Sequence, residues 1–469
     1  MSKWGFRGTV HGHHSENTVQ LPLKGKYKDN SDATATIPFA ELINKYVPEF
    51  RDGNRFNLNP ILFNGTLQTM YPTKADYSKV YKVHYGRELI QLKPSEDLPL
   101  LQEGQITCDY VINPFDKDEE EFKANSAKTL PESFPRLHAR TRYLSDEELS
   151  KVDEIWKSND DPIVVIQHGL NGGSYEPAIR AVTEELFKNN YNIVCVNSRG
   201  CCRTPLSTPY PLTGANTEDM RFVIRRLHKD YPKKKIFLLG FSFGALISTN
   251  YLCEEGKNSL ITAAFTIGCP WDLLLSTLHV EKSWSGRYLF APAILYFLMN
   301  YIKVNLKTVA TSSNPDFSEE NYYKNKKNFK LPIQFDDVYT SRSAGFQSAP
   351  IYYRNASPAA RIHDLETPLL ALNSIDDPLV SDDLPIWESK KQPYLYVAAT
   401  DLGGHLAYIQ NNGDFWFKKP ISEYFNAFRD QVEDHTRPIT DYKPALNIFR
   451  LKEKAYKDNH EYVDMRLEK

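Results

Sequence analysis

The stretch that most constrains the fold is residues 235–252, where an apolar run is followed by a serine between two glycines and then by a helical pattern. Ile236 to Leu239 suits a buried parallel strand, and from Ala245 onward apolar side chains recur at helical spacing. The turn between them is Gly-Phe-Ser-Phe-Gly. A G-x-S-x-G turn at such a junction strains the serine backbone and exposes its hydroxyl. The pattern predicts that Ser242 is a nucleophile for a carbonyl carbon.

The alternative to a nucleophile is a purely structural role for this motif. With 22 glycines among 469 residues, chance alone gives roughly a one-in-ten probability of a G-x-S-x-G somewhere in the chain. Gly240 and Gly244 would then only allow close packing of a strand on a helix, and Ser242 would cap that helix. The candidate base and acid further along the chain favour the interpretation of Ser242 as a nucleophile.

Composition and charge exclude several classes of protein. The net charge is −2, so no strong field would attract nucleic acid. The six cysteines are scattered, and Cys201-Cys202 lacks a second pair at ligand spacing, which predicts a reducing compartment and no metal site. We expect no cofactor. Because the N-terminus lacks the apolar core of a signal peptide and the longest apolar stretch, Tyr288 to Met299, is too short to span a bilayer, we expect a cytoplasmic protein.

Strands and helices alternate from Asp161 onward, which is typical of a mostly parallel sheet flanked by helices. Thr217 is predicted to cap one of the helices. Before this region, two alternating runs, Val80 to Leu92 and Gln105 to Ile112, predict an antiparallel hairpin at a sheet edge. The charged segment Asp116 to Asp153 is predicted to be a surface loop. The predicted core strands are 162–167, 192–197, 236–239, 261–267, 367–373 and 394–399.

The alternation stops at Trp271 and resumes after Gly345, and the segment between them is helical and aromatic. An insertion here lies above the carboxyl ends of the strands, where ligands bind, and so predicts a cap over an active site. His11, His13 and His14 would suit a metal, but a solvated polar tail is the favoured interpretation. The predicted segments are a polar N-terminal extension (1–55), the first part of the core (56–270), the helical cap (271–345), the second part of the core (346–433) and a charged C-terminal tail (434–469).

A serine hydroxyl needs a general base, and the base needs a carboxylate that fixes its tautomer. After a nucleophile turn of this kind the chain order is Ser, then acid, then His. Of the histidines beyond the expected acid, His435 and His460 lie in the polar tail. His405, in a loop with two glycines directly after an apolar strand, is therefore predicted to be the base for Ser242.

The acid is expected just past the strand predicted at 367–373, at the same sheet edge as the serine turn. Asp377, which directly precedes a proline turn, is favoured. Asp376 remains an alternative. Asp401 is a third candidate. It is disfavoured because it is too close to His405 in the sequence for its carboxylate to reach the required side of the imidazole ring easily.

Acyl transfer also needs hydrogen-bond donors for the developing oxyanion. One predicted donor is the backbone N–H of Phe243. The second is expected in the Gly-rich loop after the first core strand, Gln167 to Gly173, where we assign the N–H of Leu170. His168 precedes the acid in the chain, so it is predicted to support this loop and not to act as the base.

Six motifs, taken together and in order, resemble the YheT-like branch of the α/β-hydrolases. They are His-Gly-Leu-Asn-Gly-Gly-Ser-Tyr-Glu-Pro (168–177), Asn-Ser-Arg-Gly-Cys (197–201), Gly-Phe-Ser-Phe-Gly-Ala (240–245), Pro-Trp-Asp (270–272), Asp-Asp-Pro (376–378) and Asp-Leu-Gly-Gly-His-Leu-Ala-Tyr (401–408). Within the branch, Trp-Gly-Phe-Arg-Gly-Thr-Val (4–10) and Tyr-Gly-Arg-Glu (85–88) make the chain most similar to fungal medium-chain fatty acid ethyl ester synthase/esterases. Asn171 departs from the family, which more often has a small residue there.

The resemblance implies an α/β-hydrolase fold with the cap inserted after the strand that follows the nucleophile helix. It also implies that Ser242 takes a medium-chain acyl group from acyl-CoA or an acyl ester and passes it to ethanol, or to water. The alternatives are a monoacylglycerol lipase, a general carboxylesterase of the same fold, and a lipid-binding scaffold with an inactive site. We expect a monomer whose aromatic cap makes peripheral contact with a lipid surface, such as a lipid droplet or the mitochondrial outer membrane.

Overall fold

The protein is described by a computed structural model that covers residues 4–27, 34–74 and 76–433. The predicted C-terminal tail lies outside these residues. The strands are β1 (Arg7–His14), β2 (Gln20–Tyr27), β3 (Thr34–Pro38), β4 (Arg55–Asn57), β5 (His84–Leu92), β6 (Gly104–Ile112), β7 (Thr141–Tyr143), β8 (Ile163–Gln167), β9 (Asn192–Asn197), β10 (Ile236–Phe241), β11 (Ala263–Ile267), β12 (Leu369–Ser374) and β13 (Leu395–Thr400).

Helices fill the connections between the strands. They are α1 (Phe39–Tyr46), α2 (Gly65–Met70), α3 (Glu119–Thr129), α4 (Asp146–Ser158), α5 (Pro177–Lys188), α6 (Glu218–Asp230), α7 (Phe243–Glu255), α8 (Leu273–Lys282), α9 (Ala291–Val304), α10 (Leu306–Val309), α11 (Glu319–Asn328), α12 (Pro332–Phe335), α13 (Ser341–Ser343), α14 (Ala349–Ala356), α15 (Ile386–Ser389) and α16 (Lys418–Gln431). Within the described ranges, none of the helices is both long enough and apolar enough to cross a bilayer.

One large sheet forms the centre of the molecule. Its strand order in the described ranges is β4-β1-β13-β12-β11-β10-β8-β9-β6-β5-β7. The strands from β13 to β9 in this order are parallel, and β1 and β6 flank them in antiparallel pairing. The chain runs from β8 outward to β9 and then crosses to β10 on the other side, so β8 lies at a topological switch point. The predicted mostly parallel sheet flanked by helices is confirmed.

Apolar side chains of the central strands enter two cores, one on each face of the sheet. In β10, Ile236 and Leu238 belong to one cluster, whereas Phe237 and Leu239 belong to the other. Successive strand side chains point to opposite faces, and both faces of a parallel sheet are covered by helices. This arrangement explains why the core strands are apolar without alternation, and it gives the carboxyl-terminal edge of the sheet a rigid base.

Between β11 and β12 the chain leaves the sheet and forms α8 to α14, with π-helical turns at Gly286–Phe290 and Asp336–Thr340. We call this segment the cap. Apolar residues of α9 pack against Cys201 and Leu206 in the loop after β9. The hydroxyl of Tyr301 donates to the carbonyl oxygen of Arg199 and accepts from the backbone N–H of Leu212, both at 2.9 Å. The cap is therefore attached to the core by apolar packing and by hydrogen bonds.

The predicted solvated N-terminal extension is wrong for the described part of that segment. β1 joins the large sheet, with Val10 opposite Thr400 of β13, and β2 pairs with β3. Val10 is fully buried, while most other side chains of β1 are partly exposed. The sequence of β1 is polar because little of the strand faces a core. In the described ranges, no group of three or more His, Cys, Asp or Glu residues is arranged to hold a metal.

The predicted surface loop at 116–153 is also wrong, because it contains α3, β7 and the start of α4. Ser145 and Glu148 form a capping box at the start of α4, which buries Val152 and Trp156. The predicted hairpin is confirmed as the antiparallel pair of β5 and β6. It does not lie at the edge of the sheet, since β7 pairs with the outer side of β5.

Thr217 precedes α6 as predicted but does not cap it. Its hydroxyl donates instead to Glu254 at 2.5 Å. Arg221 forms buried ion pairs with Glu218, Glu254 and Glu255. This network joins the start of α6 to the end of α7, the helix that follows the predicted nucleophile.

Candidate active site

Ser242 lies in the sharp turn between β10 and α7, with φ 52° and ψ −118°. This backbone conformation costs about 1–3 kcal/mol for a residue that is not glycine. The flanking glycines make the turn possible. A Cβ on Gly240 would lie 2.6 Å from the Cα of Ala245, and one on Gly244 would lie 2.4 Å from the carbonyl oxygen of Gln167. The predicted strained turn is present, and it presents the Ser242 hydroxyl at the carboxyl edge of the sheet.

The structure brings Ser242, His405 and Asp377 into one hydrogen-bonded chain. His405 Nε2 lies 2.7 Å from Ser242 Oγ, and His405 Nδ1 lies 2.7 Å from Asp377 Oδ2. Asp377 is buried, and its Oδ1 accepts from the backbone N–H groups of Leu379 and Val380. Because a carboxylate only accepts, Nδ1 carries the imidazole proton. Nε2 is then free to take the proton of the serine hydroxyl.

The two alternative acids lie elsewhere. Asp376 Oδ1 accepts from the Ser374 hydroxyl at 2.5 Å and from the backbone N–H of Gly404 at 2.8 Å, so Asp376 holds the loop before the histidine. Burial raises the pKa of Asp376 to about 6. Asp401 lies 2.9 Å from the ring of His11 in β1. The geometry thus favours Asp377 as the carboxylate next to the imidazole.

The residues that carry the two predicted oxyanion donors, Leu170 and Phe243, line the same cavity as Ser242. Because β8 is the parallel neighbour of β10, the loop after β8 faces the nucleophile turn. A Cβ on Gly169 would lie 3.4 Å from the Cβ of Ser242, which places Leu170 beside the serine. Phe243 is the first residue of α7, where a backbone N–H has no helical partner. In the described part of the chain, neither of these N–H groups donates to another backbone carbonyl.

His168 supports the loop that carries Leu170. Its Nδ1 lies 2.6 Å from the carbonyl oxygen of Gly169, and its Nε2 accepts from the backbone N–H of Ser198 at 2.9 Å. Burial lowers the pKa of His168 to about 4, so the ring is neutral at physiological pH. Nδ1 is then the donor and Nε2 the acceptor. This is the supporting role predicted from its place before the acid in the chain.

Asn171 connects the same loop to the cap. Its backbone has φ 54°, a left-handed conformation that asparagine tolerates better than most residues. Its side-chain amide donates to the carbonyl oxygen of Phe297 in α9 at 3.2 Å. The departure from a small residue at this position therefore adds a contact between the loop and the cap.

Sequence reasoning missed the residues that position His405 from the N-terminal part of the chain. The backbone N–H of His405 donates to Thr69 Oγ1 at 2.8 Å, and Thr69 Oγ1 donates to the carbonyl oxygen of Gly65 at 2.6 Å. Gln68, also in α2, accepts from the backbone N–H of Ile409 at 2.8 Å. These contacts join positions more than 300 residues apart, so no local pattern could reveal them.

A cavity of about 770 Å³ extends from Ser242 under the cap. This volume lies in the range typical of small-molecule sites, ~300–1,000 Å³. Most of its wall is apolar, including Leu273, Val280, Phe290, Ile294, Leu298 and Phe335. Glu176 also lies in the wall. Burial raises the pKa of Glu176 to about 7, although the backbone N–H of Gly169 and the electrostatic interaction with the His405 ring both act to lower it.

Comparison with known proteins agrees with this geometry. Residues 162–412 match the family model described as alpha/beta hydrolase fold. The chain belongs to the α/β-hydrolase fold family. It is 38% identical to the Medium-chain fatty acid ethyl ester synthase/esterase 2 of Saccharomyces cerevisiae, over 92% of this chain and 97% of that protein. It is 32% identical to the Monoacylglycerol lipase of the same yeast, over 94% of each chain.

Among solved structures, an esterase of Pyrococcus furiosus is similar at 16% identity and a TM-score of 0.41, over 74% of this chain and 94% of that chain. The predicted resemblance to the fungal ester synthase/esterases is confirmed by the match along nearly the whole chain. The chain is therefore an esterase or lipase of the α/β-hydrolase family.

Proposed function

We propose that the protein forms and hydrolyses medium-chain fatty acid ethyl esters through an acyl-enzyme on Ser242. The observation that carries the proposal is the chain of two 2.7 Å hydrogen bonds from Ser242 through His405 to Asp377, placed at a largely apolar cavity. The reaction needs a nucleophile, a base and a place for an acyl chain, and these three meet there. The name of a relative that spans nearly the whole chain supports the choice of substrate.

In the first half of the reaction, His405 Nε2 takes the proton of Ser242 as Oγ attacks the carbonyl carbon of acyl-CoA or an acyl ester. The N–H groups of Leu170 and Phe243 donate to the oxyanion. Loss of one such donor costs about 3–4 kcal/mol in an acyl-transfer site. His405 then gives its proton to the departing thiolate or alkoxide, which leaves the acyl group on Ser242. Asp377 stabilises the cationic ring in both steps.

In the second half, an alcohol or a water molecule enters and gives its proton to His405 as its oxygen attacks the acyl-enzyme. The bond between the acyl carbon and Ser242 Oγ then breaks, and His405 returns the proton to Oγ. Ethanol yields the ethyl ester, and water yields the free acid. The acceptor is then decided by how well the cap excludes water and holds a short alcohol. All groups in this scheme come from one chain, so we propose that the monomer is active.

A direct assay is to incubate purified protein with octanoyl-CoA and ethanol and to measure ethyl octanoate and octanoate. The wild type is expected to make both, and Ser242→Ala is expected to make neither. The proposal fails if the two proteins give equal amounts of ethyl ester. Labelling of the wild type, but not of Ser242→Ala, by a fluorophosphonate probe would exclude an inactive scaffold.

The second candidate function is a monoacylglycerol lipase, which the similarity to the yeast lipase along almost the whole chain supports. The chemistry at Ser242 would be the same, with glycerol as the leaving group and water as the acceptor. Side-by-side assays of 1-octanoylglycerol and octanoyl-CoA separate the two functions. Glycerol release far faster than ethyl ester formation would favour the lipase.

A further inference from the structure

The cap exposes an unusual number of large apolar side chains next to the cavity. We define the aromatic face as Trp284, Tyr288, Tyr296, Phe297 and Val304, which are 71%, 61%, 68%, 59% and 67% exposed. They lie within 21 consecutive residues. Elsewhere in the described chain, exposed large apolar residues are spread over many elements. A contiguous exposed apolar patch of this kind marks an interaction site.

The geometry of α9 places three of these side chains, Tyr296, Phe297 and Val304, in two adjacent rows. Phe297 and Val304 are seven positions apart, and so are Tyr296 and Lys303, which is close to two turns of an α-helix. The first row, Phe297 and Val304, presents apolar groups outward. The second row begins with the aromatic ring of Tyr296 and ends with Lys303 at its edge. The opposite side of α9 is buried against the core of the cap. The exposed side of α9 therefore has no cover in the described structure.

The charge around the aromatic face is mainly positive, and the acidic Glu281 lies close enough to Arg287 to interact with it. The 34 residues from Lys282 to Pro315 contain Lys282, Arg287, Lys303 and Lys307 and no aspartate or glutamate. All four cations are exposed. An apolar face with tryptophan and tyrosine and a rim of lysine and arginine is the composition of segments that lie in a membrane interface. In a symmetric dimer the same cations would face each other, which disfavours a second copy of this chain.

The aromatic face continues into the wall of the cavity. Tyr288 and Phe297 are exposed to solvent and also line the cavity that contains Ser242. A surface that docks on this face would therefore lie at the cavity opening, where an apolar substrate could enter without crossing water.

We propose that the aromatic face docks the protein on an anionic phospholipid surface, with the apolar side chains inserted among the lipids and the four cations held at the headgroups. This inference rests on the proposed function only for the purpose of docking, which is delivery of substrate from the lipid. The docking itself does not depend on catalysis.

The test is co-sedimentation of Ser242→Ala protein with vesicles of phosphatidylcholine, with and without phosphatidylglycerol. We expect binding that is stronger with phosphatidylglycerol and that weakens as salt is added. The double substitution Trp284→Ser and Val304→Ser, at positions that do not line the cavity, should weaken binding about tenfold or more. The matched control, Trp387→Ser with Ile155→Ser, removes an exposed tryptophan and an exposed aliphatic residue that lie outside the cap, and it should bind like the parent.

Three results would overturn the proposal. The first is no binding of the parent to either vesicle, and the second is equal binding by the double variant and the parent. The third is a dimer, detected by light scattering, that the double variant abolishes, since the face would then join two copies of the chain. Hydrolysis of a soluble short-chain ester by the double variant with Ser242 intact should be unchanged. If the wild type itself does not hydrolyse the soluble short-chain ester, the proposed function is refuted instead.

Discussion

Replacement of Glu176 by glutamine should change how stability depends on pH. Glu176 lies in the cavity wall, and its carboxyl packs against the loop that carries the predicted oxyanion donor. A Cβ on Gly172 would lie 2.3 Å from one carboxyl oxygen. In the unfolded chain this carboxyl has its ordinary pKa of 4.5, whereas burial raises the pKa to about 7 in the folded protein. Glutamine keeps the shape of the side chain and removes the titration.

The sign of the effect follows from proton binding. Between about pH 4.5 and 7 the folded state holds a proton that the unfolded state has lost, so the free energy of unfolding falls as the pH rises. At ~1.4 kcal/mol per pKa unit, the difference between 4.5 and about 7 corresponds to ~3 kcal/mol. Glu176 is only half-buried and water can enter the cavity, so this figure is an upper limit. Above pH 7 no further loss is expected from this group.

The assay is urea-induced unfolding followed by tryptophan fluorescence, for the wild type and Glu176→Gln at about pH 5 and pH 8. The free energy of unfolding of the glutamine variant, relative to that of the wild type, should increase as the pH rises, by up to ~3 kcal/mol. Glu120→Gln, in the exposed face of α3, removes a solvated carboxyl and serves as the control. If the free energy of unfolding changes equally with pH for the wild type and Glu176→Gln, the reasoning is refuted. Glu176 would then titrate alike in the folded and unfolded states.

Three further tests probe the site and its support. Asp377→Asn should lower kcat by about 10⁴-fold because the imidazole loses the partner that fixes its tautomer, and Asp376→Asn should have a much smaller effect, as measured with a soluble ester. Thr69→Val removes the acceptor of the His405 backbone N–H and should lower kcat/KM about five- to thirtyfold, a loss that Thr69→Ser should not show. Arg221→Met leaves three buried glutamates without that partner and should destabilise the fold by about 3–5 kcal/mol in thermal or urea unfolding.

The sequence was most informative where the structure is local. The turn at Ser242 and its neighbouring strand and helix follow from residues within one short stretch, because two glycines and an apolar run are what the turn requires. Chain order and positions directly after apolar strands predict His405 as the base and Asp377 as the acid. Parallel strands bring such positions to one edge, so a one-dimensional order was enough to place them together.

The parts that were missed depend on contacts between distant residues. β1 is polar because it buries little, and its partner β13 lies almost 400 positions away, so neither composition nor alternation marks it as a strand. Thr69 has no local signal for the same reason. The case of α4 is different, since Ser145 and Glu148 at capping-box spacing followed by Val152 and Trp156 were visible in the sequence. A segment rich in charge was mistaken for a loop although its start signal was present.

The cap links the two proposals through Asn171. The loop that carries the predicted oxyanion donor, the N–H of Leu170, is held on one side by His168 and on the other by the bond from Asn171 to the carbonyl oxygen of Phe297. Phe297 belongs to both the cavity wall and the aromatic face. A shift of α9 on contact with lipid would therefore reach the oxyanion donor through a single hydrogen bond, while Ser242 stays fixed by the sheet. Under the two proposals, the core determines which bond is attacked, and the cap determines which acceptor enters.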